Sequence, residues 1–186
     1  MCIRIALFSL LLCSLISAQD KARLDSTAVV LHSSNYACTI SVPKGWIYDS
    51  AGALADAKET RIYLSKDTDK WHSIITFVAA TKSVEGKNTL KNLLAWFAKG
   101  DSTGSAQITD MPALTTKDNR SVIVNRWVRT NQGKTCGSVG YVDDDQFVAV
   151  ITLWANNQED CDTYLPAFKQ VIESYSSTAP AGDKSK

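Results

Sequence analysis

The stretch SVIVNRWVRTNQGKTCGSVGYVDDDQFVAVITLW, residues 121–154, decides the fold. Three β-rich runs lie within it: Ser121 to Thr130, Thr135 to Val142 and Phe147 to Trp154. They are joined through Asn131-Gln132-Gly133 and through Asp143-Asp144-Asp145-Gln146. Short polar connectors between such runs are hairpin signals, so the segment is predicted to be a three-stranded antiparallel meander. Downstream, Leu165, Phe168, Ile172 and Tyr175 recur at helical spacing and predict a closing helix from about Asp160 to Tyr175. Pro166 removes a backbone donor, which places it near the first turn of the regular helix, after a looser turn.

Working back toward the N-terminus, Ala106 to Ile108 predicts a short strand. Leu90, Leu93, Leu94 and Phe97 make one apolar stripe, so Asn88 to Lys99 reads as a helix, with Asn88 as N-cap and Gly100 as its stop. Trp71 to Ala80 is apolar on both faces, the pattern of a central strand with layers above and below. Thr60 to Leu64 is another strand, and Asp49 to Glu59 reads as a loop or one short helix. Tyr36 to Val42 alternates, and Pro43-Lys44-Gly45 then turns the chain into Trp46-Ile47-Tyr48. Proline is expected at the second turn position, with Trp46 to Tyr48 as the strand paired with Tyr36 to Val42. The sum is an α+β domain, an antiparallel-dominated β-sheet with helices packed on it.

Residues 1–18 have the three parts of a secretory leader. Arg4 is its only charge, Ile5 to Leu12 is apolar apart from Ser9, and Ile16-Ser17-Ala18 sets cleavage after Ala18. The apolar run is shorter than the roughly 20 residues a membrane span needs, so no stable anchor is expected after its removal. Leu12 is too large to precede a lipidated cysteine at Cys13. Residues 19–34 are predicted to be a flexible lead-in, 35–176 a single domain, and 177–186 a disordered tail. The leader carries Arg4 and no acid, so 19 of the 20 basic residues remain against 19 acidic ones. A neutral chain has no built-in attraction for nucleic acid or anionic lipid, and neither is expected as a partner.

Three cysteines follow the leader: Cys38, Cys136 and Cys161. Outside the cytoplasm, any one pair among them can form a disulfide and leave one thiol. Cys38 on a strand and Cys161 on the helix stripe read equally well as small core residues. Their spacing matches no zinc motif.

Four further features are candidates for chemistry. Gly100-Asp101-Ser102-Thr103-Gly104 matches a nucleophile elbow, but it follows a helix and has no histidine after it, so a polar loop is expected. His32 and His72 have no second ligand or orienting partner beside them. Asp143, Asp144 and Asp145 offer carboxylates and are the candidate Ca²⁺ ligands, although neighbours on a strand diverge and no glycine-centred loop surrounds them. Trp46, Trp71, Trp127 and Trp154 fall on strands. Trp96 lies off the apolar stripe of its helix, where an exposed indole would mark a contact.

Three segments carry a resemblance. Ser41-Val42-Pro43-Lys44-Gly45-Trp46 is similar to a strand-turn opening with Pro-x-Gly-Trp. Gly140 to Leu153 is a matching hairpin. Asp162-Thr163-Tyr164-Leu165-Pro166-Ala167-Phe168, running on to Tyr175, is similar to a closing helix. Together they resemble the PsbP-like family, which includes an extrinsic subunit of photosystem II. Its α/β/α sandwich is shared by DcrB-like exported bacterial proteins and by a eukaryotic Ran-binding import factor. The resemblance implies that sandwich fold and chooses no partner among such different ones. The expectation is an exported, non-enzymatic accessory or protein-binding domain, with no cofactor, no catalytic residue and a protein partner. The alternatives are a small-ligand or Ca²⁺-binding module and a small secreted hydrolase using Ser102 or His72.

Overall fold

The computed structural model describes residues 27–32, 37–49, 60–64, 73–82, 89–99, 106–129 and 135–178. The leader and its cleavage point, the loop at 50–59, Trp71, His72, Ser102 and the tail from 179 lie outside the described residues. The large sheet has the strand order β3-β4-β5-β10-β9-β8-β6, antiparallel throughout. Its members are β3 (Trp46–Asp49), β4 (Thr60–Leu64), β5 (Ser73–Thr81), β6 (Ala106–Asp110), β8 (Ser121–Arg129), β9 (Cys136–Asp143) and β10 (Phe147–Ala155). The expected meander is β8, β9 and β10, and β5 is central, between β4 and β10. An eighth strand, β7 (Leu114–Thr115), also pairs with β8 beyond β6. Pro112 lies between β6 and β7; it has no N–H to donate, and the edge breaks there.

The turn Pro43-Lys44-Gly45 does a different job from the one expected. Trp46 N donates to Pro43 O at 3.1 Å, so proline takes the first turn position and Gly45 the third. Gly45 has φ +80°, a conformation that glycine adopts without strain. The two strands beside the turn do not pair. Instead β2 (Ala37–Val42) belongs to a second sheet, between β1 (Thr27–His32) and β11 (Ser176–Thr178). Two expectations are corrected here. The lead-in expected at 19–34 contains a strand at 27–32, and the strand Ser176–Thr178 runs into the tail expected at 177–186. Both add to the open edges of β2, whose N–H and C=O groups need partners.

Among the described residues two helices complete the layers: α1 (Leu90–Ala98) and α2 (Gln158–Ser174). Along β8, β9 and β10, alternate residues face opposite layers. Val122, Val124, Val142, Ile151 and Leu153 point inward, against Phe168, Val171 and Ile172 of α2. The small sheet adds Leu31, Cys38, Ile40 and Val42 to this same core. Full burial of each such side chain contributes about 1.5–3 kcal/mol. Helix α1 lies on the opposite face.

Helix α2 begins at Asn157, whose Oδ1 accepts from Asp160 N at 2.9 Å while Asn157 Nδ2 donates to the Asp160 carboxylate at 2.7 Å. Pro166 sits mid-helix, not in the first turn. The buried stripe runs from Cys161 before it to Ile172 beyond it, and packing along that length outweighs the missing donor. The N-cap of α1 is Thr89, whose hydroxyl accepts from Asn92 N at 3.3 Å; Asn88 lies outside the described residues.

Cys136 at the start of β9 and Cys161 in α2 form a disulfide, their Cα atoms 6.3 Å apart. Cys38 is a buried free thiol, and burial pushes its pKa up to about 12. In the chain from residue 19, one thiol is expected to react with Ellman's reagent after unfolding and none before it. Replacing Cys136 and Cys161 by serine is expected to lower stability by about 2–4 kcal/mol in urea unfolding. Gly137 offers a second check. A Cβ there would lie 1.9 Å from Leu153 O and 2.6 Å from the Trp127 indole. Gly137→Ala is expected to destabilise by at least ~1–3 kcal/mol. Gly140→Ala, which meets the flexible Ile172 Cδ1 at 2.5 Å, is expected to lose less.

Candidate functional site

The outer face of the large sheet also presents apolar residues, and among the described residues its cover is one short helix. A helix of nine residues is roughly 14 Å long, whereas seven strands side by side span about 29 Å. The stripe Leu90, Leu93, Leu94 and Phe97 packs against Trp127, Val139, Tyr141 and Val148. Phe97 meets Tyr141 edge-on with ring centroids 6.1 Å apart. Even so, no residue of α1 is buried. A cavity of about 400 Å³ remains between helix and sheet.

The floor of the cavity follows from strand parity. β5 supplies Val78 and Ala80, β9 Val139 and Tyr141, and β10 Val150, Thr152 and Trp154. β6 supplies Ala106 and Ile108, and β8 supplies Trp127 and Arg129. Leu93, Trp96 and Phe97 form the roof. Trp96 is 72% exposed, which puts it at the mouth, and Trp154 is 38% exposed. Trp127 is buried and meets Trp154 edge-on at 4.6 Å. The Arg129 guanidinium lies 5.7 Å from the centroid of each of these two rings. Such cation–π contacts hold the cation beside the indoles.

Among the described residues that line the cavity, Arg129 is the only charged one. The Tyr141 phenol is pushed well above its ordinary pKa by burial, so it stays protonated. Sequence reasoning flagged Trp96, Trp127 and Trp154 separately but did not bring them together. Their parity on β8 and β10 was legible; the place of α1 above them was not. Gly137 was missed, and it is what lets the Trp127 indole lie flat against β9. Trp46 sits in the inner core, edge-on to Tyr164 at 5.6 Å.

Each candidate Ca²⁺ ligand has a cationic partner, and Asp144 and Asp145 share Arg120 at 3.9 Å. Asp143 pairs with Lys82 at 2.6 Å, and Asp145 is exposed. Asp144 is buried; it accepts from Tyr175 Oη at 2.9 Å and lies 3.9 Å from Arg120. Arg120 also donates to Asp118 at 3.1 Å, and Asp118 accepts from Thr116 and from Ser177 N. Among the described residues no group of three His, Cys, Asp or Glu converges as metal ligands. Of the two histidines, His32 is placed by its backbone in β1, while His72 and Ser102 fall outside the described residues.

No family model matches the sequence, and no curated protein matches it. Solved structures do match in fold. The Saccharomyces cerevisiae Ran-binding protein Mog1p aligns at TM-score 0.55 and 11% identity, over 81% of this chain and 94% of its own. Cyanobacterial PsbP from Synechocystis sp. PCC 6803 aligns at TM-score 0.53 and 11% identity, over 82% of this chain and 93% of its own. The protein therefore has the PsbP-like fold, an antiparallel sheet with helices on it.

The acidic network gives a pH prediction. Burial pushes the Asp118 carboxyl up, but hydrogen bonds from Thr116, Ser177 N and Arg120 outweigh it and hold Asp118 below the ordinary carboxylate range. A depressed carboxylate stabilises the fold above its unfolded pKa, and this stability is lost as pH falls through the folded value. Asp118→Asn is expected to be less stable than wild type at neutral pH. The difference should shrink below about pH 4, followed by thermal unfolding across pH.

Proposed function

We propose that this is an exported, non-enzymatic accessory domain that works by binding, with the outer face of the large sheet as its contact surface. The observation that carries this reading is the apolar cavity under α1, with Trp96 at its mouth. Apolar concavities with few polar groups are the usual form of a binding site, and an exposed indole at the rim is a characteristic anchor. The residues of the leader support export. No helix among the described residues is long and apolar enough to cross a membrane. The shared fold lends support as analogy: one structure with it is a Ran-binding protein. The partner in this reading is a protein outside the cytoplasm.

The small-ligand alternative draws on the same cavity. Its Ca²⁺ version gains nothing from Asp143, Asp144 and Asp145, which are held by Lys82, Tyr175 and Arg120 or face solvent. The test places a photoreactive residue at Trp96 and, as a control, at Glu173 on α2, in cells of the native host. Crosslinks to one protein from position 96 and not from 173 are the expected result. Equal labelling from both, or reproducible turnover of a substrate, overturns the reading.

A further inference from the structure

We propose that β1 is a self-association edge, along which two copies of this chain pair antiparallel into one six-stranded sheet. The inference is independent of the outer face of the large sheet. It starts from the two ends of the small sheet, which are finished differently. At the β11 end the backbone groups beyond β2 are taken. Lys117 N donates to Tyr175 O at 3.0 Å, and Ser177 N donates to the Asp118 carboxylate at 3.0 Å. At the other end β1 pairs with β2 on one side, and among the described residues no strand lies on its other side. A row of unpaired N–H and C=O groups is a template for a further strand.

Edges that must stay alone usually carry a lysine, a proline or a bulge. Thr27-Ala28-Val29-Val30-Leu31-His32 has no Lys, Arg, Asp, Glu or Pro, and it pairs with β2 in unbroken register. Val30 is 60% exposed, on the face turned away from the core, while Leu31 is buried. A second copy is the occupant that fits. Antiparallel strands related by a two-fold axis normal to their sheet bring residues of the same face opposite one another. An axis at Val30 sets Val30 against the partner's Val30 on the outer face, and Val29 against the partner's Leu31 on the inner one. Val29 and Leu31 already pack in the inner core, so the apolar row continues from one copy into the next. No charge on β1 opposes this pairing, and none steers a different chain to it. Each end of the joined sheet is a β11 whose outer groups are taken, so growth stops at two copies.

The strength of the contact follows from its size. Six residues span about 20 Å, and an edge that long and about 10 Å deep covers far less than the ~1,200 Å² of a standard interface. The dimer is therefore expected to be weak, with a Kd on the order of 10–100 μM. The test is sedimentation velocity of residues 19–186, with the disulfide intact, at about 5 to 500 μM. A monomer–dimer equilibrium without larger species is the expected result. Val30→Lys faces two cations across the axis and should weaken the dimer at least about tenfold. Position 30 is exposed, so thermal unfolding of the monomer should not change. Val30→Thr, uncharged and β-branched, should keep most of the dimer.

The register is tested by cysteine pairs. Val30→Cys is expected to form an intermolecular disulfide under mild oxidation. Ala28→Cys is not, because its two copies would lie about 14 Å apart along the strands, beyond the ~7 Å between Cα atoms that a disulfide spans. A monomer at every concentration, a dimer indifferent to Val30→Lys, equal crosslinking from positions 28 and 30, or growth beyond two copies overturns the inference. Should Val30→Lys fail to fold, the two cysteine variants decide alone. Crosslinking from position 96 tests the outer face separately, so a monomer that captures a protein there defeats only the self-association edge, and a dimer that captures none defeats only the protein-partner reading.

Discussion

Everything in this molecule follows from a sheet whose central strands are apolar on both sides. β5, β9 and β10 each present hydrocarbon to two opposite layers, and both layers must be kept from water. On the inner face the demand is met in full. α2, 17 residues long, and the small sheet bury Ile75, Phe77, Ile151 and Leu153 completely or nearly so. On the outer face the demand is met only in part among the described residues, because α1 has nine residues and none of them is buried. The cavity is the remainder between these two solutions.

The inner side also carries the polar knot that fixes how the chain ends come together. Tyr175 leaves α2 and places its hydroxyl on Asp144, in the β9–β10 turn. Arg120, just before β8, lies between Asp144 and Asp118, and Asp118 accepts from the backbone of β11. Three separate parts of the chain, around residues 116–120, 144 and 175–177, are thus held by hydrogen bonds and an ion pair to two carboxylates. Such bonds are stronger than neutral ones, and a lost partner leaves a buried group unsatisfied. Asp144, in the middle of the acidic run, is an internal fastening.

Much of the frame was legible because period and polarity are local properties. The meander of β8, β9 and β10 and the stripes of both helices were read from spacing alone, and the observed elements agree within a few residues. What failed depended on distant partners. The turn at Pro43 to Gly45 has the residues of a hairpin, yet β2 finds its partners at Thr27–His32 and Ser176–Thr178 and leaves β3 to β4. Pro166 breaks a local rule that the core on both sides of it overrides. The cysteine pairing needed the position of α2 against β9, which spacing does not contain. The convergence of three tryptophans and Arg129 was hidden for the same reason: each strand reports its own parity but not what roofs it.

The small sheet joins a strand near the start of the domain to one near its end. β2 is flanked by β1 on one side and β11 on the other, and β11 pairs across about the whole length of the domain. As the chain is synthesised from its N-terminus, β2 stays open along one edge until residues 176–178 follow. Late closure of so distant a contact makes folding slow, since loop entropy is lost before the contact repays it.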